Sequence, residues 1–159
     1  MAARPLRTVV ESLVQMTEIV LPEDTNPRGA VFGGRVLALI DKCAAVVAIR
    51  HSRTQTVTAA LDSVVFINKV RLGDILLLHG RINSAFESSM EIEVEVRSED
   101  PRTGARKLTT TAFVTMVAVD AEGRPQAVPE LQFADDEERD RAARAGERRR
   151  QRLKMRGQV

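Results

Sequence analysis

One cysteine (Cys43), two histidines, five phenylalanines and neither tryptophan nor tyrosine leave this 159-residue sequence short of the residues that usually advertise chemistry. A lone cysteine excludes a disulfide framework and a cysteine-based metal site, and suits a reducing, cytoplasmic setting. His51 and His79 are too few for a zinc cluster without several acidic helpers. So few aromatics argue against a domain that stacks nucleic-acid bases, and no nucleic-acid partner is expected. The sequence holds no Gly-x-Gly-x-x-Gly fingerprint, no Walker phosphate loop and no Gly-x-Ser-x-Gly elbow. Its longest apolar run, Ala44 to Ile49, is far below a membrane span, and the amino terminus has no apolar stretch of the signal type.

What is present is enough for one core: 43% of the residues are hydrophobic, which predicts a single domain. The net charge of +2 is unevenly spread. Residues 135–159 hold nine Lys/Arg against six Asp/Glu, a net of +3, so residues 1–134 carry −1. With acidic residues first and basic residues last, this stretch suits a solvated helix and its dipole. Only Leu153, Met155 and Val159 are apolar after Ala145, so residues 132–159 are expected to form a charged, partly helical tail beyond a folded body of residues 1–131. That tail is expected to be dispensable for catalysis.

The hydrophobic period divides the body. Val9 to Val20 predicts a first strand. A loop with turn residues Pro27 and Gly29 follows, then a helix from Gly33/Gly34 to about Arg50 whose apolar positions fall on nearly every face, as in a buried helix. The period then shortens to two. Strands are predicted over Thr56–Phe66, Asp74–Ile82, Met90–Arg97 and Lys107–Asp120, with a hairpin connection at Asp100–Gly104. One buried helix followed by strands with short connections predicts an α+β fold, an antiparallel sheet wrapped around a central helix.

Asp41 stands near the middle of that apolar helix. An ionised carboxylate is costly to bury, so a carboxylate there is either exposed, pairing with Arg35 or Lys42, or kept for chemistry. The paired glycines that open the helix leave backbone N–H groups unpaired with the positive dipole end behind them, which is an anion site. They equally permit tight packing, and Asn26 before Pro27 equally suits a turn.

Asn26, Gly33-Gly34 and Asp41 at this spacing, with Asp62-Ser63, Phe66, Gly73-Asp74, Ser88-Ser89-Met90 and the strand from Phe113 to Asp120, resemble the acyl-CoA hydrolase type of hotdog-fold thioesterase. The resemblance runs from about Thr17 to Pro129. It implies hydrolysis of fatty acyl-CoA with Asn26 and Asp41 as catalytic residues, in dimers that assemble further as trimers of dimers. It also implies a coenzyme A groove drawing on Ser63, Phe66, Ser88, Ser89 and Arg97. No cofactor is expected, coenzyme A entering only as part of substrate and product. Two rivals share the fold: an acyl-CoA hydratase or dehydratase, which needs a histidine in the site, and a non-catalytic acyl-CoA-binding regulator.

Thioester hydrolysis needs donors for the developing oxyanion and a base or nucleophile. Gly33 and Gly34 supply the first, and Asp41 supplies the second in either role. Asp41 lies seven or eight residues past the glycines, roughly 11–12 Å along the helix axis. One chain can hardly bring both to one carbonyl carbon. Two chains with facing helices can, so the site is expected to span a dimer.

Overall fold

The computed structural model describes residues 3–62 and 64–157. The chain runs β1 (Leu6–Thr8), β2 (Val14–Ile19), α1 (Gly33–Ser52), β3 (Gln55–Leu61), β4 (Ile75–Ala85), β5 (Ser89–Glu99), β6 (Arg106–Val119), β7 (Glu130–Gln132) and α2 (Asp136–Met155). Five strands make one antiparallel sheet in the order β2-β4-β5-β6-β3, and it curls around α1. This is the expected hotdog arrangement. A second, two-stranded parallel pairing joins β1 to β7.

Alternation along the strands sorts the two faces of the sheet. Met90, Ile92, Val94 and Val96 of β5, with Ala112, Val114, Met116 and Ala118 of β6, are buried and pack with Val36, Leu39, Ile40, Cys43 and Val47 of α1. Helix and sheet meet closely at Gly80 of β4, where a Cβ would come within 2.8 Å of Cys43 Sγ and of Val47 Cγ2.

Three expectations change. The first strand is shorter, because Glu11 accepts from the backbone N–H and the hydroxyl of Thr8 and a 3-10 turn forms over Val10–Ser12. The strand expected to reach Phe66 stops at Leu61, after a bulge between Thr58 and Ala60. And α1 is not buried all round: within one chain Ala38, Asp41, Lys42, Val46 and Ile49 face outward. The apolar stripe of the helix is wider than one chain's sheet can cover.

The last helix is not a free, solvated rod. Asp135 caps it by accepting from the Glu138 N–H. It then lies on the outer face of the sheet, with Ala145 buried, Arg141 paired to Glu93 and Arg148 paired to Glu91.

Candidate active site

The loop before α1 is built around Asn26. Its Oδ1 accepts from the N–H groups of Arg28 (2.9 Å) and Ala30 (3.3 Å), and its backbone N–H donates to the Ala30 carbonyl at 2.8 Å. Asn26 is therefore a turn residue. The same bonds fix which way its amide faces, leaving Nδ2 as the outward donor. The loop is tied to the body where Val31 donates to Val70 and Phe32 donates to the Asp24 carbonyl.

That loop delivers the chain into α1 at Gly33. The first N–H groups to bond back are those of Arg35 and Val36, both to the Phe32 carbonyl. Among the described residues, Gly33 and Gly34 donate to no backbone group, so two N–H groups stand open at the positive end of a 20-residue helix. Phe66 covers Gly33, its ring carbon Cε2 being 3.2 Å from where a Cβ would sit, whereas nothing lies within 4 Å of that point at Gly34. Phe66, Gly33, Ile67, Asn68, Lys69 and Thr109 contribute to a cavity of about 370 Å³ beside the helix start.

Two turns along α1, Asp41 is exposed in the single chain and makes no ion pair with Arg35 or Lys42; Arg35 is committed to Asp24 at 2.9 Å. The partner of Asp41 is Thr58 of β3, whose hydroxyl donates to Oδ1 at 2.6 Å. Sequence reasoning missed Thr58. β3 is an edge strand, so Asp41 lies beside an unpaired sheet edge flanked by exposed apolar side chains: Val57 (49% exposed), Leu61, Val46 and Ile49.

The remaining expected residues scatter within one chain. Ser63 lies outside the described residues. Ser88 and Ser89 form the end of the β4–β5 turn. Ser89 pairs with Val117, which pairs with Val57, so it is about 10 Å from β3 across the sheet. Alternation with the buried Met90 sets it on the face away from α1. Arg97 is eight residues further along β5, about 26 Å away, with its Nε on Glu95 at 2.6 Å, which raises its pKa further. One chain thus brings Phe66 to Gly33 and Thr58 to Asp41, but does not bring Arg97 to the serines.

Neither histidine reaches the Asp41 face. His51 is buried with Nε2 2.9 Å from the Pro129 carbonyl, and desolvation lowers its pKa. His79 alternates with Gly80, which faces α1, and so lies on the outer face. Cys43 is buried, its thiol pushed up to about 11.

A second group of cations was also missed. Lys69, Arg71 and Lys107 line a polar pocket of about 320 Å³ with Asn68, Asp74 and Ser98. This pocket shares Asn68 and Lys69 with the cavity at Phe66 and Gly33. None of the three cations is in an ion pair among the described residues.

A helix inside a curled antiparallel sheet, with open amides at its start and a carboxylate on its free face, defines the hotdog thioesterase class, and the Thioesterase superfamily profile matches residues 28–105. An uncharacterized acyl-CoA thioester hydrolase of Bacillus subtilis is 41% identical over 128 residues, covering 80% of this chain and 74% of that protein. The chain belongs to this acyl-CoA thioester hydrolase family. The mouse cytosolic acyl coenzyme A thioester hydrolase is 35% identical over 84% of this chain, which spans only 36% of that longer protein.

Among solved structures, a hexameric acyl-CoA thioesterase superposes with a TM-score of 0.90 at 42% identity, over 95% of this chain and 97% of that one. An acyl-CoA hydrolase of Staphylococcus aureus, solved with butyryl coenzyme A and coenzyme A, gives 0.88 at 36% identity, over 96% and 93%. Mutants of that hydrolase have been solved with an Asn, an Asp and a Thr each replaced by Ala. Those three residues are separated by the same intervals as Asn26, Asp41 and Thr58 here.

Proposed function

We propose that this protein hydrolyses acyl-CoA to the free acid and coenzyme A, at a site shared by two copies of the chain. The observation that carries the reading is the pairing of Asp41 with Thr58 on an open, apolar helix and sheet edge, with the open amides of Gly33 and Gly34 at the far end of the same helix. A second copy laid on that edge covers the apolar side chains around Asp41. Facing helices then set the Asp41 of one chain against the glycine amides and Asn26 of the other.

In the hydrolytic step, water adds to the thioester carbonyl carbon as its proton passes to the Asp41 carboxylate. Negative charge gathers on the carbonyl oxygen, where the Gly33 or Gly34 N–H receives it; one such donor is worth about 2.7–4 kcal/mol in the transition state. The C–S bond breaks, and the coenzyme A sulfur takes the proton. Asn26 Nδ2 is free to orient the water or the carbonyl. If Asp41 instead attacks directly, the same amides serve and an anhydride intervenes before water.

Lys69, Arg71 and Lys107 supply positive charge for the phosphates of the coenzyme, in a pocket that shares Asn68 and Lys69 with the cavity at Phe66. The reaction needs no cofactor, and a reducing cytoplasm is its natural setting. Placement of both histidines away from Asp41 favours this reading over a hydratase. The open amides paired with a carboxylate favour it over a regulator that only binds. Dimers assemble further as trimers of dimers, a hexamer in number like the relative that is 42% identical.

Free thiol released from acyl-CoA tests the reaction. Asp41→Asn and Asp41→Ala are expected to lose about 10²–10⁴ in kcat with fold and assembly unchanged, the scale of a removed general base. Mixing inactive Asn26→Ala and Asp41→Ala chains tests the shared site: some mixed dimers regain one site with both residues. Activity of Asp41→Ala within a few-fold of the parent refutes the mechanism, and mixtures that stay inactive after exchange refute the shared site.

A further inference from the structure

The end of α2 rests on the segment that carries two side chains of the site. Arg152 is nearly buried (9% exposed) and donates from Nη1 to both carboxylate oxygens of Asp62, at 3.1 and 2.9 Å. One turn on, Arg156 donates to the Ala59 carbonyl at 3.3 Å. Ala59 is the extra residue of β3: Thr58 sits opposite Met116 and Ala60 opposite Thr115, so Ala59 has no place in the ladder. A bulge re-aims the strand that contains it, and this one adjoins Thr58, whose hydroxyl holds Asp41.

Asp62 begins the stretch that leads to Phe66. Its N–H donates to the Phe113 carbonyl at 3.0 Å, and among the described residues the next backbone tie to β6 is Ile67 N–H to the Thr109 carbonyl at 2.8 Å. Phe66, which covers Gly33, hangs between those two ties. Arg152 therefore closes the near end of the span, and Arg156 holds the bulge just before it.

We propose that Arg152 and Arg156 are positioning residues: the C-terminal helix sets β3 and the stretch after it so that Thr58 meets Asp41 and Phe66 covers Gly33. The inference rests on the function proposed above, but its physical content is independent of it. α2 has other attachments, Arg141 to Glu93, Arg148 to Glu91 and the buried Ala145, so loss of Arg152 leaves the helix docked and frees only the segment at its end. On this account removal of residues 135–159 lowers turnover at every salt concentration, although composition alone makes the stretch look dispensable.

The test compares Arg152→Ala, Arg152→Lys and the exchanged pair Asp62→Arg/Arg152→Asp in the full chain. In Arg152→Ala, kcat for acyl-CoA is expected to fall roughly tenfold to a hundredfold, the scale on which misplacement of a site by about 1 Å acts. KM and assembly are expected to stay near those of the parent, and the melting temperature to fall only slightly because Asp62, 27% exposed, regains water once Arg152 is gone. Arg152→Lys and the exchanged pair recover part of the kcat loss. Amide hydrogen exchange gives a readout that needs no activity: the amides of Asp62 and Ile67 are expected to exchange at least about tenfold faster, with protection around Ala145 retained. Parent-like kcat and exchange in Arg152→Ala overturn the proposal. So does a kcat loss accompanied by loss of protection along the whole of α2, which makes Arg152 merely structural. If the parent protein hydrolyses no acyl-CoA, the function fails while the exchange result still decides the clamp.

Discussion

Replacing Arg148 by alanine isolates what docks the last helix. Glu91 is 1% exposed and receives Arg148 Nε at 3.0 Å and Nη2 at 2.7 Å, with Asn83 Nδ2 at 3.2 Å as its other neighbour. The guanidinium also lies 3.8 Å from the centre of the Phe113 ring. A surface pair of this kind is worth about 0–1 kcal/mol, but stripping one partner from a buried pair costs about 3–5 kcal/mol, because the remaining charge has lost its water and its counterion. For a chain of this size that corresponds to a melting temperature lower by about 6–20 °C. Arg148→Ala is therefore expected to be far worse than Arg150→Ala, whose guanidinium is exposed beside Glu147. Adding Glu91→Gln to Arg148→Ala is expected to restore about 1–2 kcal/mol, since a neutral amide is cheaper to leave underbonded. Urea unfolding at fixed protein concentration measures each value, the fixed concentration being needed because assembly shifts apparent stability. A loss below about 1 kcal/mol for Arg148→Ala, equal to that of Arg150→Ala, refutes the buried pair and returns α2 to the solvent.

Gly80→Ala is expected to destabilise the protein by about 1–3 kcal/mol, since its Cβ meets Cys43 Sγ and Val47 Cγ2 at 2.8 Å; urea unfolding checks it against Gly146→Ala in α2, where the added methyl meets only Arg150 Nη1 at 3.9 Å. His51 gives a pH dependence whose sign is fixed. Its folded pKa lies below the ordinary 6.5, so its stabilisation is present above that value and lost as pH falls below it, the unfolded chain binding the proton first. His51→Gln is expected to flatten the fall in stability below pH 6.5 in unfolding curves taken at several pH values.

The fold was largely legible because its strongest signals are local. Alternation over Met90–Arg97 and the Thr/Val run from Lys107 place β5 and β6 to within a few residues, and the paired glycines mark the start of α1. Asn26 and Asp41 announce themselves as a turn residue and a charge on an apolar helix. What sequence could not place is long-range. Thr58 reads as one β-former among several, and only the crossing of edge strand β3 beside α1 gives its hydroxyl a carboxylate. The same crossing explains the exposure of Asp41. Apolar residues all round a helix indicate burial without saying by how many chains.

The charged residues at the carboxyl end teach the converse. Glu91, Glu93 and Glu95 alternate with apolar residues and read as a strand's wet face. Arg141, Arg148 and Arg152 sit in a sequence too polar to build a core and read as a wet helix. Each pattern taken alone is solvated, yet together they are complementary. At about 100° per residue the three arginines fall within about 40° of one another on α2, and Ala145 beside them leaves room for close approach. That stripe meets Glu93, Glu91 and Asp62 in turn. The signal was present in the spacing of the arginines, but its meaning depended on a sheet face elsewhere in the chain. The ion pairs therefore do more than keep a polar tail soluble: they run from the middle of the sheet to the segment that presents Thr58 and Phe66, and make the least hydrophobic part of the protein a support for its candidate site.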